Sequence, residues 1–314
     1  MANEKTLQEA ENTVHIEGTI TEVRIEEGTL PDKREVISGE IDIQVDENSV
    51  HTVHLFSFKY KADKSINGVY KGIKTMMDEY KTGDKVRVST GSVRLNEYAG
   101  QDGSWKSYPQ INTNFVNRIK ENDVFEPQAK FSFEMMVVSV KEEVKNDEET
   151  GRAIIKGYIP IYGGAVIPFE TVVADPNAVS YVTNTYEKGN TVSLHGEIVS
   201  QKIVTRREIE VGFGAPQEKI DYKTVREYLV KGGSAPYEED DKNAFDPKLV
   251  GKAVKAREAE IEEKKEKKKA KDNQAQGSNS SNNGFGADTF PKPNSDPFAS
   301  DNKPIDIYDD DLPF

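Results

Sequence analysis

Aromatic and positively charged residues alternate in one stretch of the first half of the chain. They are Arg87, Arg94, Tyr98, Trp105, Lys106 and Tyr108. Single-stranded DNA exposes base faces beside a charged backbone, so binding it requires flat side chains for stacking and cations for phosphates. Trp105 has polar neighbours and follows a Gly-containing turn, which favours stacking over the alternative of an ordinary buried aromatic. We therefore predict that this set contacts single-stranded DNA.

A second group of the same kind lies earlier in the chain. Phe56, Phe58 and Tyr60 alternate with Lys59 and Lys61. We predict DNA contacts for Phe58, Lys59 and Lys61. Phe56 and Phe58 share one face of a predicted strand, so the pattern leaves open that one of them packs in the core.

The second half of the chain carries a weaker version of this pattern. Lys156, Tyr158 and Tyr162 share a face of a predicted strand, and a basic cluster follows at Lys202, Arg206 and Arg207. Core packing explains the two tyrosines about as well as DNA binding does, and this half could bind DNA or build a dimer interface.

Residue types that support catalysis or metal binding are scarce. The chain has no cysteine and four histidines. His51 and His54 lie at odd spacing in a strand-like stretch and so point to opposite faces, which disfavours a shared metal ion. The sequence shows neither a Walker phosphate loop nor a nucleophile motif. We predict no enzymatic activity, no cofactor and no metal.

The net charge of -13 conceals a strong local asymmetry. Residues 59–120 hold 12 Lys/Arg against 6 Asp/Glu, a net of +6. This basic stretch contains most of the predicted DNA contacts. Local charge is therefore a better guide to an anionic ligand than the overall sign.

Two β-rich halves, residues 12–122 and 128–233, repeat one order of elements. Alternating apolar residues predict three strands, a short helix and two further strands in each half. A Tyr-x-x-Gly turn follows each predicted helix, at Tyr80 to Gly83 and at Tyr186 to Gly189. This is the order of a five-stranded Greek-key barrel, the OB-fold. We predict an all-β core of two tandem OB-fold barrels, with two unrelated β domains as the alternative.

The remainder of the chain is polar. Asp246-Pro247 resembles a helix start and predicts a charged helix or linker over residues 246–272, ending near Lys271. The basic run Lys264 to Lys271 is typical of a solvated helix, with phosphate contact as the alternative. Residues 273–304 are rich in Asn, Ser, Gly and Pro, which predicts disorder over a tail of residues 273–314.

The sequence ends on an acidic segment with an aromatic residue last. A chain end of this kind suits a pocket with a hydrophobic hole, a cation for the terminal carboxylate and a basic rim. We predict that this tip binds partner proteins through Asp309, Asp310, Asp311, Leu312, Pro313 and Phe314.

This tip resembles the C-terminal tip of bacterial single-stranded-DNA-binding proteins. Residues 296–299 and 303–307 extend the resemblance to the Gram-positive form of that tail. The resemblance implies an OB-fold, single-strand binding without sequence preference, and recruitment of replication, recombination and repair proteins. Two barrels in one chain depart from the family plan of one barrel per subunit in a tetramer. They indicate a divergent, phage-encoded member and leave homo-oligomerisation open.

Two functions are consistent with these features. The first is a single-stranded-DNA-binding protein that coats exposed strands and recruits replication and repair proteins. The alternative is a tail-bearing adaptor or mimic that occupies the same partner pockets without coating DNA. The chain shows neither a signal-peptide pattern nor an apolar run of about 18 residues, so we expect it in the cytoplasm, at DNA.

Overall fold

A computed structural model describes residues 6–100, 104–209, 217–238 and 240–277. Side chains are described for these residues except 202–224 and 269–277. The strands are β1 Asn12–Thr29, β2 Glu35–Asp46, β3 Ser49–Phe58, β4 Lys85–Ala99, β5 Trp105–Asn112, β6 Asn117–Arg118, β7 Gln128–Lys145, β8 Glu148–Ile161, β9 Ala165–Val173, β10 Thr191–Ile209 and β11 Gln217–Gly233. The helices are α1 Gly68–Glu79, α2 Pro176–Thr185 and α3 Pro247–Gly277.

Each half of the chain closes into a five-stranded barrel. The first has the order β1-β2-β3-β5-β4, and a β1–β4 pairing closes it. The second has the order β7-β8-β9-β11-β10, closed by β7–β10. In each barrel the third and fifth strands pair in parallel, and a helix precedes the fourth strand. The prediction of an all-β core of two OB-fold barrels is confirmed.

The repeat extends to individual hydrogen bonds in the turn after each helix. Gly83 N–H donates to the Ile20 carbonyl over 2.9 Å, and Gly189 N–H donates to the Val137 carbonyl over 2.8 Å. Both glycines have positive φ, 95° and 92°, a conformation that side chains with a Cβ rarely adopt. These turns anchor each helix to the first strand of its own barrel, and they show that Ile20 and Val137 are equivalent positions.

The first strands of the two barrels pair with each other. Residues 12–17 of β1 run antiparallel to residues 128–133 of β7, and Val14 lies opposite Phe131. Val14 precedes Ile20 by the same number of residues as Phe131 precedes Val137, so Val14 and Phe131 are equivalent as well. An antiparallel pair in which a residue faces its own equivalent is what a two-fold axis produces. The barrels are therefore related by a local two-fold axis at this buried pair, and their side chains form one continuous core.

Three boundaries differ from the sequence-based expectation. The last strand predicted for barrel 1 breaks into β5 and β6, because Thr113 forms a local turn with Phe115 through two hydrogen bonds. The polar, Gly-ended run from Lys145 to Gly151 predicts a hairpin loop, and the structure has a tight turn at Asn146 and Asp147 instead, both with positive φ, as in type I′ hairpins. Helix α3 extends to Gly277, because its Lys, Glu, Gln and Ala residues favour helix.

In the described part of the chain no helix is long and apolar enough to cross a membrane.

Two equivalent glutamates reinforce the contact between the barrels. Glu17, which is 2% exposed, accepts the Glu126 N–H just before β7 over 2.8 Å. Its counterpart Glu134 accepts the Glu11 N–H just before β1 over 2.9 Å. Glu17 also accepts from Arg87 Nε over 2.6 Å. Burial raises the pKa of Glu17, but the hydrogen bonds from Arg87 and the Glu126 N–H outweigh it, and the net pKa is lowered.

We expect Glu17→Gln to lower the free energy of unfolding at pH 7 by about 2–3 kcal/mol, because a buried charge-assisted hydrogen bond is lost. The folded-state pKa of Glu17 lies below its ordinary value of 4.5. Its contribution is therefore complete above that pH and is lost as the pH falls through the folded pKa. Urea unfolding at several pH values measures the difference between variant and wild type.

Glu26→Gln is the control, because Glu26 is an exposed carboxylate on the same strand. A Glu17→Gln effect that persists unchanged at pH 3 would contradict the role of the ionised carboxylate.

Candidate nucleic-acid interface

The hairpin of β4 and β5 places four of the nine predicted DNA contacts, Arg94, Tyr98, Lys106 and Tyr108, on one face. Arg94 lies opposite Gln110, Asn96 opposite Tyr108, and Tyr98 opposite Lys106. Because side chains alternate between the faces of a strand, these six share the outer face of the first barrel.

Two tyrosines form the aromatic part of this face. The rings of Tyr98 and Tyr108 lie 5.9 Å apart at 85°, an edge-to-face arrangement. The Asn96 amide donates to the Tyr108 hydroxyl over 3.2 Å, and the two hydroxyls lie 3.4 Å apart. These contacts hold the rings in place while Tyr98 remains 43% exposed. Tyr98 thus offers a preordered flat surface for stacking.

Positive charge accompanies the rings. Arg94 and Lys106 are exposed, and Arg94 makes no ion pair with any described residue. The described outward-facing residues of β4 and β5 include no carboxylate. Phosphates can therefore approach this face without repulsion from it.

The outer face of β1, β2 and β3 has the opposite character. Arg24 donates to Asp42 over 2.7 Å and to Glu40 over 2.9 Å, and it also contacts Glu22. His54 Nδ1 lies 3.2 Å from Glu40. The hydrogen bonds that Arg24 donates to Asp42 raise the pKa of Arg24. The three carboxylates around Arg24 outnumber its single positive charge and repel a polyanion. The electrostatics therefore favour the β4–β5 hairpin as the place where DNA binds.

Trp105 lies on the other side of this hairpin. It pairs with Ala99 and shares the inner face with Glu97 and Ser107, so the structure separates it from Tyr98 and Lys106. It is half-buried, and its Nε1 has no hydrogen-bond partner among the described residues.

Helix α3 covers this inner face. Arg257 donates to Glu97, which also accepts from the Ser107 hydroxyl over 3.0 Å. Lys268 donates to the carbonyls of Ala99 and Gly100 at the end of β4. Sequence reasoning missed these residues, because nothing local indicates which distant strand a charged helix contacts.

Two cations assigned to the basic stretch already have partners within the protein. Arg87 forms the ion pair with Glu17 and donates to the Val124 carbonyl over 3.0 Å. Lys85 lies 4.7 Å from the centre of the Phe125 ring. Arg87 therefore links β1 to the segment that connects the two barrels, and Arg94 is the arginine of the outer face.

The second predicted group lies at another place on the barrel. Phe56 and Phe58 both face outward and contact edge-to-face at 5.2 Å, so neither is a core residue. Arg34 lies 4.4 Å from the Phe58 ring. Lys59 pairs with Glu35 over 2.7 Å, whereas Lys61 is exposed and has no ion pair with a described residue.

The two groups lie near opposite ends of the barrel. Strand β3 is parallel to β5, with Val53 beside Ile111. Phe58 follows Val53 by five positions, and Tyr108 precedes Ile111 by three. At about 3.3 Å per residue the two aromatic groups are roughly 26 Å apart along the strands. They form two patches.

The described part of the second barrel offers fewer candidate DNA contacts. Tyr158 is buried, and Lys156 lies 3.5 Å from Glu170. Tyr162 is 80% exposed in the turn after β8. Several residues that the sequence singled out fall outside the described side chains or the described residues: Lys202, Arg206, Arg207, Asp309, Asp310, Asp311, Leu312, Pro313 and Phe314.

Fold and surface together define a two-barrel OB-fold protein with one aromatic and basic hairpin face. The sequence model of the YorF family matches residues 10–267. The chain belongs to the YorF family. No curated protein sequence matches it.

Solved structures with a similar course of the chain include single-stranded DNA binding protein from Thermus aquaticus. The wild type aligns with a TM-score of 0.48 at 10% identity, over 75% of this chain and 97% of that chain. A deletion mutant of the same protein aligns with a TM-score of 0.48 at 12% identity, over 74% of this chain and 98% of that chain. A Replication Protein A heterotrimer bound to ssDNA aligns with a TM-score of 0.19 at 9% identity, over 70% of this chain and 49% of that chain. These alignments transfer no residue roles.

The half-buried position of Trp105 predicts how its substitution changes the stability of the protein. Trp105→Ala should lower the free energy of unfolding by about 1–2 kcal/mol, because a half-buried aromatic side chain is removed. Tyr98→Ala, on the exposed face, should change it by less than about 0.5 kcal/mol. Urea unfolding followed by circular dichroism measures both. Unchanged stability of Trp105→Ala with weaker DNA binding would instead support a stacking role for Trp105.

Proposed function

We propose that the protein binds single-stranded DNA without sequence preference and has no catalytic role. The observation that carries this proposal is the outer face of the β4–β5 hairpin, where Tyr98 and Tyr108 lie beside Arg94 and Lys106. Aromatic rings bind base faces and cations bind phosphates, and single-stranded DNA presents both.

The form of this face favours single strands over duplex DNA. Stacking on Tyr98 requires a base whose face is exposed, and a duplex buries base faces in its own stack. Stacking tolerates every base because each has a π-face. A stacking surface beside phosphate-binding cations therefore predicts little sequence preference and an affinity that falls with salt.

Tyr98→Ala is expected to weaken binding of labelled oligo-dT by about 1–3 kcal/mol, the loss associated with one stacked base. Fluorescence anisotropy titrations at several salt concentrations measure the affinity and its salt dependence.

Tyr162→Ala is the matched control, because Tyr162 is a more exposed tyrosine on the other barrel. Its affinity for oligo-dT should equal that of the wild type. Equal losses in the two variants, or a wild-type protein that does not bind oligo-dT, would refute the proposed site.

We further propose that the acidic segment ending in Phe314 recruits replication, recombination and repair proteins. The support is the order Asp-Asp-Asp-Leu-Pro-Phe at residues 309–314, preceded by a polar segment at residues 278–304.

Deletion of Leu312–Phe314 should abolish recovery of such partners in a pull-down while leaving oligo-dT binding intact, because the apolar anchor of the segment is removed. Deletion of Ser281–Asn283 removes the same number of residues from the polar segment instead and should have no effect. Equal recovery by all three proteins would contradict recruitment through this segment. Recovery without any oligo-dT binding would favour an adaptor that does not coat DNA.

A further inference from the structure

Helix α3 connects the second barrel to the back of the hairpin whose front we assign to DNA. We propose that α3 is a strut that holds the β4–β5 hairpin in its binding position, with Arg257 and Lys268 as positioning residues. This inference rests on the proposed function, and it assigns to α3 a role in DNA affinity without contact to DNA.

The hairpin needs external support. Among the described residues, β4 beyond Gly91 pairs with no strand other than β5, and β5 pairs with β3 only at Ile111 and Asn112. Residues 94–99 and 105–110 therefore form a two-stranded ribbon that projects from the barrel. Such ribbons have marginal stability alone. Something must pack on one face for the other face to keep its shape.

The first part of α3 is anchored on the second barrel. Val250, Ala253 and Val254 are buried, as is Phe245 just before the helix. Phe245 N–H donates to the Thr191 hydroxyl over 2.8 Å, and Asp246 accepts the Lys248 N–H over 2.8 Å as a cap. The helix thus leaves the second barrel in a direction set by its own core contacts.

The middle of α3 reaches the hairpin. At 1.5 Å per residue, Val250 and Lys268 are about 27 Å apart along the helix axis. Over this span, ion pairs between Glu260 and Lys264 and between Glu263 and Lys267 support the exposed helix. A continuous helix of this length is stiff enough to act as a rod between the two barrels.

Two contacts attach the rod to the inner face of the ribbon. The Arg257 and Glu97 side chains are each only 20% exposed, so their ion pair is shielded from water. Lys268 donates to two carbonyls at the end of β4, where the ribbon ends. Glu97 adjoins Tyr98, which points to the other face. Holding Glu97 from behind therefore fixes the strand that presents the stacking ring.

The test uses the full chain with Arg257→Glu, which places two carboxylates together. Affinity for oligo-dT should fall about tenfold, because the ribbon must then be ordered during binding. Trp105, the only tryptophan, lies opposite Ala99 at the α3 contact. Its emission should shift to longer wavelength as α3 separates from the ribbon.

Lys252→Glu makes the same charge change at an exposed position near the start of α3 and controls for long-range electrostatics. Lys252→Glu should leave the affinity for oligo-dT and the Trp105 emission near their wild-type values. The double variant Arg257→Glu with Glu97→Arg restores the ion pair at the wild-type net charge. It should recover affinity and emission, and it answers the objection that Arg257→Glu misfolds.

Wild-type affinity in Arg257→Glu, or a loss equal to that of Lys252→Glu, would overturn the strut. So would a double variant that stays as weak as the single one. A wild-type protein that binds no oligo-dT would refute the proposed function instead, and Trp105 emission would still report whether Arg257 holds α3 on the ribbon.

Discussion

The antiparallel pairing of β1 with β7 is the contact on which the rest of the structure depends. It places Val14 opposite its own equivalent, Phe131, and so relates the two barrels by a local two-fold axis. Residues 14–17 of β1 pair with β4 as well as with β7, so the start of β1 is paired on both sides. A strand edge exposed to water is a template for aggregation, and here a second barrel in the same chain covers it.

The two-fold relation also shows how the repeated units diverged. Glu17 and Glu134 each accept a backbone N–H from the segment that leads into the other barrel. Their second partners differ, Arg87 for Glu17 and Tyr237 for Glu134. Glu17 is buried whereas Glu134 is half-buried, and a buried carboxylate is costly unless it is paired and hydrogen-bonded, so Glu17 requires its second partner. This requirement occupies Arg87, which composition alone would assign to a phosphate.

The β4–β5 hairpin separates two roles by the alternation of side chains along a strand. Tyr98 and Lys106 point outward, where carboxylates are absent among the described residues, while Glu97 and Trp105 point inward toward α3. A ribbon of two strands has no interior of its own, so ordering one face requires contacts on the other. Tyr98, which offers the stacking surface, and Glu97, which α3 contacts, are therefore consecutive residues of β4.

The sequence alone determined the barrel order, the repeat and the Tyr-x-x-Gly turns, and it singled out Arg94, Tyr98, Lys106 and Tyr108 together with Arg87 and Trp105. These follow from local periodicity and turn chemistry, which neighbouring residues specify. The tertiary structure decided that Trp105 faces inward, that Arg87 pairs with Glu17 and that Arg257 reaches Glu97. Each of these depends on residues distant in sequence, 160 positions apart for Arg257 and Glu97. Local pattern specifies which side chains share a face, and only the packing of the whole chain specifies what covers that face.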